Sequence, residues 1–230
     1  MKYLLIIPAR CGSKGIPNKN IIDLNGKPLI SYTIENALRI KSISLVEKVV
    51  VSTDCKKIAT IAEEYGAEVP FIRPKEISGD FSKSIDFVHH ALKHYHRLGL
   101  KFDSVIILQP TSPFRSFDDI KNSIELFTSK NFDSLISVYK EETINNLILY
   151  HKKNELGIAL NSNHNKGFRR QEKEEIYVRN GAIYITRVDF LRENDFLISD
   201  IPLLYEMKKS RSINIDSFED LEIARNLLCR

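Results

Sequence analysis

Short apolar runs of strand length, separated by amphipathic stretches of helix length, constrain this 230-residue chain more than any other feature. YLLII (3–7), KVVVSTD (48–54), AEVPFI (67–72), SVIILQ (104–109) and SLISV (134–138) read as strands. Between them lie PLISYTIENALRI, KKIATIAEEYG, SIDFVHHALKHYHRLG and SFDDIKNSIELFTS. In the first of these, Pro28 suits a helix start, and Leu29, Ile30, Thr33, Ile34, Ala37 and Leu38 fall on one face. Gly66 closes the second, and Ile85, Val88, Leu92 and Tyr95 form the inner stripe of the third. A strand that is apolar almost throughout has both faces covered, which is the condition of a parallel sheet between helix layers. The expected fold class is therefore α/β: a doubly wound, mostly parallel sheet in a single domain over residues 1–230. The order of the strands is not contained in the pattern.

The alternation fails over residues 139–176, which are polar, rich in Asn and Lys, and without clear period. Within them LILYHKKNELGIAL reads as two β segments around a turn. A small β-rich excursion for dimer contact, or for covering a site, is expected here; a plain surface insertion is the alternative. Regular structure resumes at IYVRNGAIYITR (176–187), followed by a short strand, SRSINID (210–216), and a last helix, SFEDLEIARNLL.

The net charge of +4 comes without any run of five or six basic residues, so nucleic acid is not an expected partner. Cys11, Cys55 and Cys229 lie far apart, which gives neither a zinc spacing nor a disulfide framework. No apolar run reaches the length of a membrane span, and Pro8 and Arg10 cut short the only N-terminal candidate for a leader. A cytoplasmic protein with no membrane partner is expected.

In an open α/β sheet, ligands collect at the carboxyl ends of strands. Unusual segments fall there: residues 8–20, Ser52–Asp54, RPKEISGDFSKS (73–84) and QPTSPFR (109–115). The first carries Arg10, Lys14 and Lys19 on a backbone loosened by Gly12 and Gly15. Close backbone N–H groups and flexible cations are what a polyphosphate requires. The loop is neither GxxxxGK[ST] nor GxGxxG, and a solvated basic loop is its bland alternative. At the other end of the chain, Asn214 and Asp216 would share one side of a strand, ~6.5 Å apart. That pair suits one Mg²⁺, although Asp216 or Ser217 would equally cap the next helix, with Asp220 near its N3 position. His90 and His94 stand at metal spacing but lack the HExxH glutamate, and Cys11 has no partnered base.

ARCGSKGIPNKN resembles the N-terminal signature of the acylneuraminate cytidylyltransferases, the makers of CMP-sialic acid and its relatives, CMP-legionaminic acid included. The resemblance continues in order through VSTD, RPKEISGD, LQPTSPFR, FRRQ, NGAIYI and INID, and so spans nearly the whole chain. It implies a Rossmann-like nucleotidyltransferase, a homodimer, and the substrates CTP and a nine-carbon keto-acid sugar. By the same resemblance Arg10 and Lys14 contact the triphosphate, with Ser13, Lys19, Asn20, Arg73 and Ser84 on the nucleotide. Gln109, Arg170, Tyr184 and Phe196 would meet the sugar, Arg170 facing its carboxylate with Arg169 as rival. Asp216, with Asn214, would hold Mg²⁺ or Mn²⁺, and Lys14, Arg10 and Asp216 would carry the chemistry. Without the resemblance, Arg73 would read as a surface arginine and the aromatics as core. The family usually has two aspartates where this chain has Asn214 and Asp216. The rival substrates are legionaminate, pseudaminate and 3-deoxy-manno-octulosonate, and FRRQ with NGAIYI leans to the sialate and legionaminate branch. A non-catalytic nucleotide-binding module is the rival of another class.

Overall fold

Strand β1 (Tyr3–Pro8) is the hub of the sheet, and its alternate residues serve two cores. Tyr3, Leu5 and Ile7 face one helix layer; Leu4 and Ile6 face the other. The computed structural model describes residues 1–13, 15–42, 45–144, 146–165 and 175–229. After β1 come a two-residue ladder, β2 (Asp23–Leu24) and β3 (Lys27–Pro28), then α1 (Leu29–Lys41), β4 (Val46–Ser52) and α2 (Lys56–Glu64). Helix α3 (Ser84–Arg97), β5 (Ser104–Leu108), α4 (Phe117–Ser129) and β6 (Ser134–Glu141) follow. The excursion supplies a hairpin, β7 (Tyr150–Lys153) and β8 (Leu156–Ala159). The chain ends with β9 (Ile176–Arg187), α5 (Val188–Asn194), β10 (Leu203–Glu206) and α6 (Phe218–Leu228).

The six-stranded sheet has the order β10-β6-β9-β5-β1-β4. Pairs β1–β4, β1–β5 and β10–β6 are parallel, whereas β9 runs antiparallel to both β5 and β6. Helices α1, α2 and α4 cover one face, and α3 and α5 the other. This is the doubly wound, mostly parallel α/β sheet expected. From β1 the chain moves outward to β4 and later returns to the opposite side of β1 as β5. Such a reversal opens a crevice between the carboxyl ends of the two central strands.

Two expected strands do not form. Residues 67–72 pair with the edge of β4 not as a ladder but through the isolated bridges Val50–Glu68 and Thr53–Ile72. Pro70, which has no N–H, sits between them and prevents a ladder. Residues 210–216 form no strand either. A 3₁₀ turn at Lys209–Arg211 leads into irregular chain, in which the Ser212 hydroxyl bonds back to the Lys208 carbonyl at 3.0 Å. Such local side-chain bonds compete with a ladder. The excursion begins later and ends earlier than 139–176, because β6 extends to Glu141 and β9 begins at Ile176. No helix among the described residues is long and apolar enough to cross a membrane.

Candidate active site

A cleft of about 410 Å³ opens at the β1–β5 crevice. Arg10, Ser13, Lys19, Asn20, Arg73, Ser84, Gln109, Tyr184, Asn214 and Asp216 all line it, from segments far apart in the chain. Of the other residues singled out, Lys14, Arg169 and Arg170 lie outside the described residues. Phe196 is 66% exposed and does not line the cleft, so the structure does not bring it to the expected sugar pocket.

The first loop is built by anchors at both ends. The Ala9 N–H donates to the Ser52 carbonyl at 2.9 Å, and the Cys11 N–H to Asp54 Oδ1 at 2.8 Å. The segment Ser52–Asp54 thus braces the loop rather than lining the cleft. Ile16 is fully buried with Leu24, Leu29, Ile215 and Leu221. Asn20 is buried, and its Nδ2 donates to the Arg10 carbonyl at 3.0 Å, which folds the loop back on itself. Gly15 is demanded by packing: a Cβ there would run into the carbonyl oxygen of Asp216. The loop's backbone therefore lies directly against the segment carrying Asn214 and Asp216.

Four cations among the described residues line the cleft, Arg10, Lys19, Arg73 and Lys83, and the first three are in different states. Arg10 pairs with Asp80 at 2.6 Å, and Lys19 with Asp216 at 2.6 Å. Arg73 differs: it is 5% exposed, and its Nε and Nη2 are buried without a hydrogen-bond partner. Its N–H donates to the Thr53 carbonyl at 2.7 Å, which carries the side chain to the end of β4, over the Phe87 ring at 5.6 Å. Burial pushes its pKa down, against the attraction of Asp54. A buried guanidinium with idle donors is costly unless an acceptor arrives. The surface-arginine alternative for Arg73 is thereby removed.

At α6, the capping question is decided by Ser217, whose hydroxyl accepts from the Asp220 N–H at 3.2 Å while Asp220 Oδ2 accepts from the Ser217 N–H at 2.8 Å. The Asp216 N–H also donates to Asp220 Oδ2 at 3.0 Å, but its carboxylate is left free of the cap and turns to Lys19, and Asn214 Nδ2 donates to its other oxygen. The pair is joined although no strand carries it. The Ile215 N–H donates to the Thr111 carbonyl at 2.8 Å, and Ile215 is fully buried, so the two polar neighbours point outward. One carboxylate and one amide oxygen suit a hard cation that takes its remaining ligands from phosphate and water. No cluster of three His, Cys, Asp or Glu suited to a metal occurs among the described residues. His90 and His94 pack on the Phe71 ring, with centroids 4.6 and 5.0 Å away.

A second cavity of about 300 Å³ adjoins the first and shares Gly181, Tyr184 and Asn214 with it. Arg179, which no sequence argument singled out, lines it together with Tyr139 and Ser212. Its carrier strand β9 was legible, but the face that a residue of a reversed, bulged strand presents was not. Lys83 and Thr111 of the first cleft were missed likewise, although each stands within a segment expected at the strand ends.

A family model described as cytidylyltransferase matches residues 4–227. The chain is 35% identical to a pseudaminic acid cytidylyltransferase of Campylobacter jejuni, over 99% of this chain and 96% of that one. It is 36% identical to a CMP-N,N'-diacetyllegionaminic acid synthase of Legionella pneumophila, over 99% and 97%. An N-acylneuraminate cytidylyltransferase of Escherichia coli is 35% identical, over 97% of this chain and 51% of its own length. Among solved structures, a CMP:2-keto-3-deoxy-manno-octonic acid synthetase complexed with CTP superposes with a TM-score of 0.72 at 19% identity, covering 100% of this chain and 99% of that one. At that identity the likeness speaks for the fold alone.

Proposed function

Because this chain belongs to the cytidylyltransferase family, we propose that it transfers the cytidylyl group of CTP to a nonulosonic acid, giving the CMP-sugar and pyrophosphate. The anomeric hydroxyl oxygen of the sugar forms a bond to the α-phosphorus, the bond from that phosphorus to the departing pyrophosphate breaks, and the hydroxyl proton is lost to solvent. Arg10 and Lys19 supply charge to the phosphates, and Lys14 belongs to the same loop in sequence. Arg73, Asn20 and Ser84 take the nucleoside. Gln109 and Tyr184 bound the sugar's end, where Arg179 of the adjoining cavity lies within reach of an acid. Binding of this kind catalyses by placement and by fixed charge aimed at the transferring group. Asp216 and Asn214 would hold Mg²⁺, which neutralises phosphate charge when bound. The place of action is the cytoplasm, where CTP is available.

The observation that carries this reading is the buried Arg73 guanidinium with unused donors at a cleft also lined by Arg10, Lys19 and Lys83. Three relatives acting, by name, on three different sugars stand at 35, 36 and 35% identity, so overall similarity does not choose among acceptors. The test is pyrophosphate release with CTP against a panel of neuraminate, legionaminate, pseudaminate and octulosonate acids. CTP-dependent turnover of one nine-carbon acid is expected; no turnover with any of them refutes the assignment.

The hairpin region exposes Ile144, Ile148, Leu149, Tyr150, Leu156, Ile158 and Leu160. A run of bare apolar side chains marks an interface. A second copy of the chain is its proposed occupant, as the homodimer expected from the resemblance requires, and sedimentation of the purified protein as a monomer at assay concentrations would count against it.

A further inference from the structure

Between the pairs Ile136–Tyr184 and Val138–Arg179, the single residue Ser137 of β6 stands opposite four residues of β9, Asn180–Ile183. On the other side, pairing with β5 ends at Leu108–Ile183. Asn180, Gly181 and Ala182 therefore leave both ladders, and Gly181 takes φ +75°, which favours glycine. A bulge of this size re-aims neighbouring side chains and strands backbone polar groups. Here it places Gly181 and Tyr184 in the wall common to the two cavities.

The stranded groups are met by side chains. Ser137 Oγ accepts from the Ile183 N–H at 2.7 Å and donates to Asn180 Oδ1 at 2.6 Å. Asn180 Oδ1 also accepts from the Ala182 N–H at 3.1 Å, and Asn180 Nδ2 donates to Ser212 Oγ at 2.9 Å. The Ala182 carbonyl is taken by Arg115 Nη1 at 2.8 Å. The same nitrogen donates to the Gln109 carbonyl at 3.2 Å, and Nη2 donates to Thr33 Oγ1 at 2.9 Å. Arg115 is 2% exposed and has no salt-bridge partner among the described residues. Burial pushes its pKa down to about 9, partly offset by Asp119, which is itself paired with Arg211. An apolar side chain would fill this place at less cost in desolvation. What it would not do is span the Gln109 and Ala182 carbonyls, just beyond the Leu108–Ile183 pair where the β5–β9 ladder ends.

We infer that Arg115 is a positioning residue for the acceptor: its planar fork fixes the β9 bulge against the Gln109 loop and so sets the sugar end of the cleft, leaving the CTP end untouched. The inference rests on the proposed function for the identity of the ligand, but the geometry it claims is independent of that. Nη1 spans both carbonyls while Nη2 is held by Thr33; Lys retains the charge but has no second nitrogen for Thr33 to hold, so nothing fixes its ammonium between the two carbonyls.

The test uses Arg115→Lys, Arg115→Met and Ser137→Ala, the last loosening the same bulge without touching the cation. Three quantities are read below the melting temperature: CTP Kd by calorimetry, KM for the nonulosonic acid turned over by the parent protein, and amide hydrogen exchange by segment. A rise of at least tenfold in acceptor KM is expected, with CTP Kd within twofold and faster exchange at 180–184 than at 9–13. A merely structural role lowers melting temperature and kcat together, leaves acceptor KM unchanged, and overturns the inference. Parent-like behaviour of Arg115→Lys overturns it too. Should Arg115→Met not fold, Ser137→Ala decides by the same three quantities. If the parent turns over no acid, the proposed function fails; the exchange pattern still decides for or against the bulge.

Discussion

Replacing Gly15 by Ala tests whether the first loop must lie against the Asp216 segment. The added Cβ would stand inside 3.0 Å of the Asp216 carbonyl oxygen, closer than real Cβ atoms come, whereas ordinary contact starts at 3.4 Å. Relief requires a shift of roughly 1 Å in tightly packed surroundings. Neither side yields freely: Ile16 and Ile215 are both fully buried, and Ile215 is tied to Thr111. Overpacking of this kind costs about 1–3 kcal/mol. In a chain of this size, each kcal/mol lowers the melting temperature by roughly 2–4 °C. The kinetic cost is larger, because ~1 Å of misplacement near reacting groups costs about 10²-fold in rate. The assay is pyrophosphate release at saturating CTP and acceptor, with thermal unfolding alongside. A rate loss near a hundredfold with a folded protein is the expected result. A rate within threefold of the parent refutes the claim that this approach organises the site. Gly12 supplies the comparison, since a Cβ there meets nothing within 4 Å and any loss reports the ligand's own approach.

Arg73→Met removes a buried, unpartnered charge; it is expected to leave melting temperature equal or higher while weakening CTP binding ten- to a hundredfold by calorimetry, since a hydrogen bond to a charged group is worth about 1.5–3 kcal/mol. Asp119 is buried, which alone would raise its pKa, yet the Arg211 pair and Ser116 bonds bring it below the usual carboxylate value. Its pairing therefore stabilises the fold fully above the unfolded-state pKa and is lost as pH falls through the lower folded value. The stability gap between the parent and Asp119→Asn should accordingly narrow on acidification below about pH 4, measured by urea unfolding; a constant gap would contradict the pairing. Leu156→Lys, at a position 73% exposed, should dissociate a dimer in sedimentation without lowering the stability of the subunit.

What the sequence determined by itself was local. YLLII, KVVVSTD, SVIILQ and SLISV read as strands because burial on both faces leaves an apolar mark that needs no knowledge of neighbours. The helices between them showed their inner stripes by period, and the cations and glycines of residues 8–20 announced a ligand loop by composition. The small β2–β3 ladder is also written locally, since Asn25 and Gly26, at φ 55° and 81°, form the Asn-Gly turn signal, although so short a ladder leaves no apolar run to mark it. Tertiary structure decided the rest, wherever a residue's fate depended on a distant partner. The pattern of IYVRNGAIYITR is the same whichever way the strand points, so only the neighbours β5 and β6 make β9 antiparallel. AEVPFI lost its ladder to Pro70, and SINID kept its paired polar residues without being a strand, because Thr111 and the buried Ile215 orient them. Arg73 and Arg115 look alike in sequence, each beside a proline or near one. The fold leaves Arg73 with Nε and Nη2 idle at a cleft, whereas both terminal nitrogens of Arg115 are engaged, Nη1 on carbonyls from two chain segments, and no nearest-neighbour rule contains that difference.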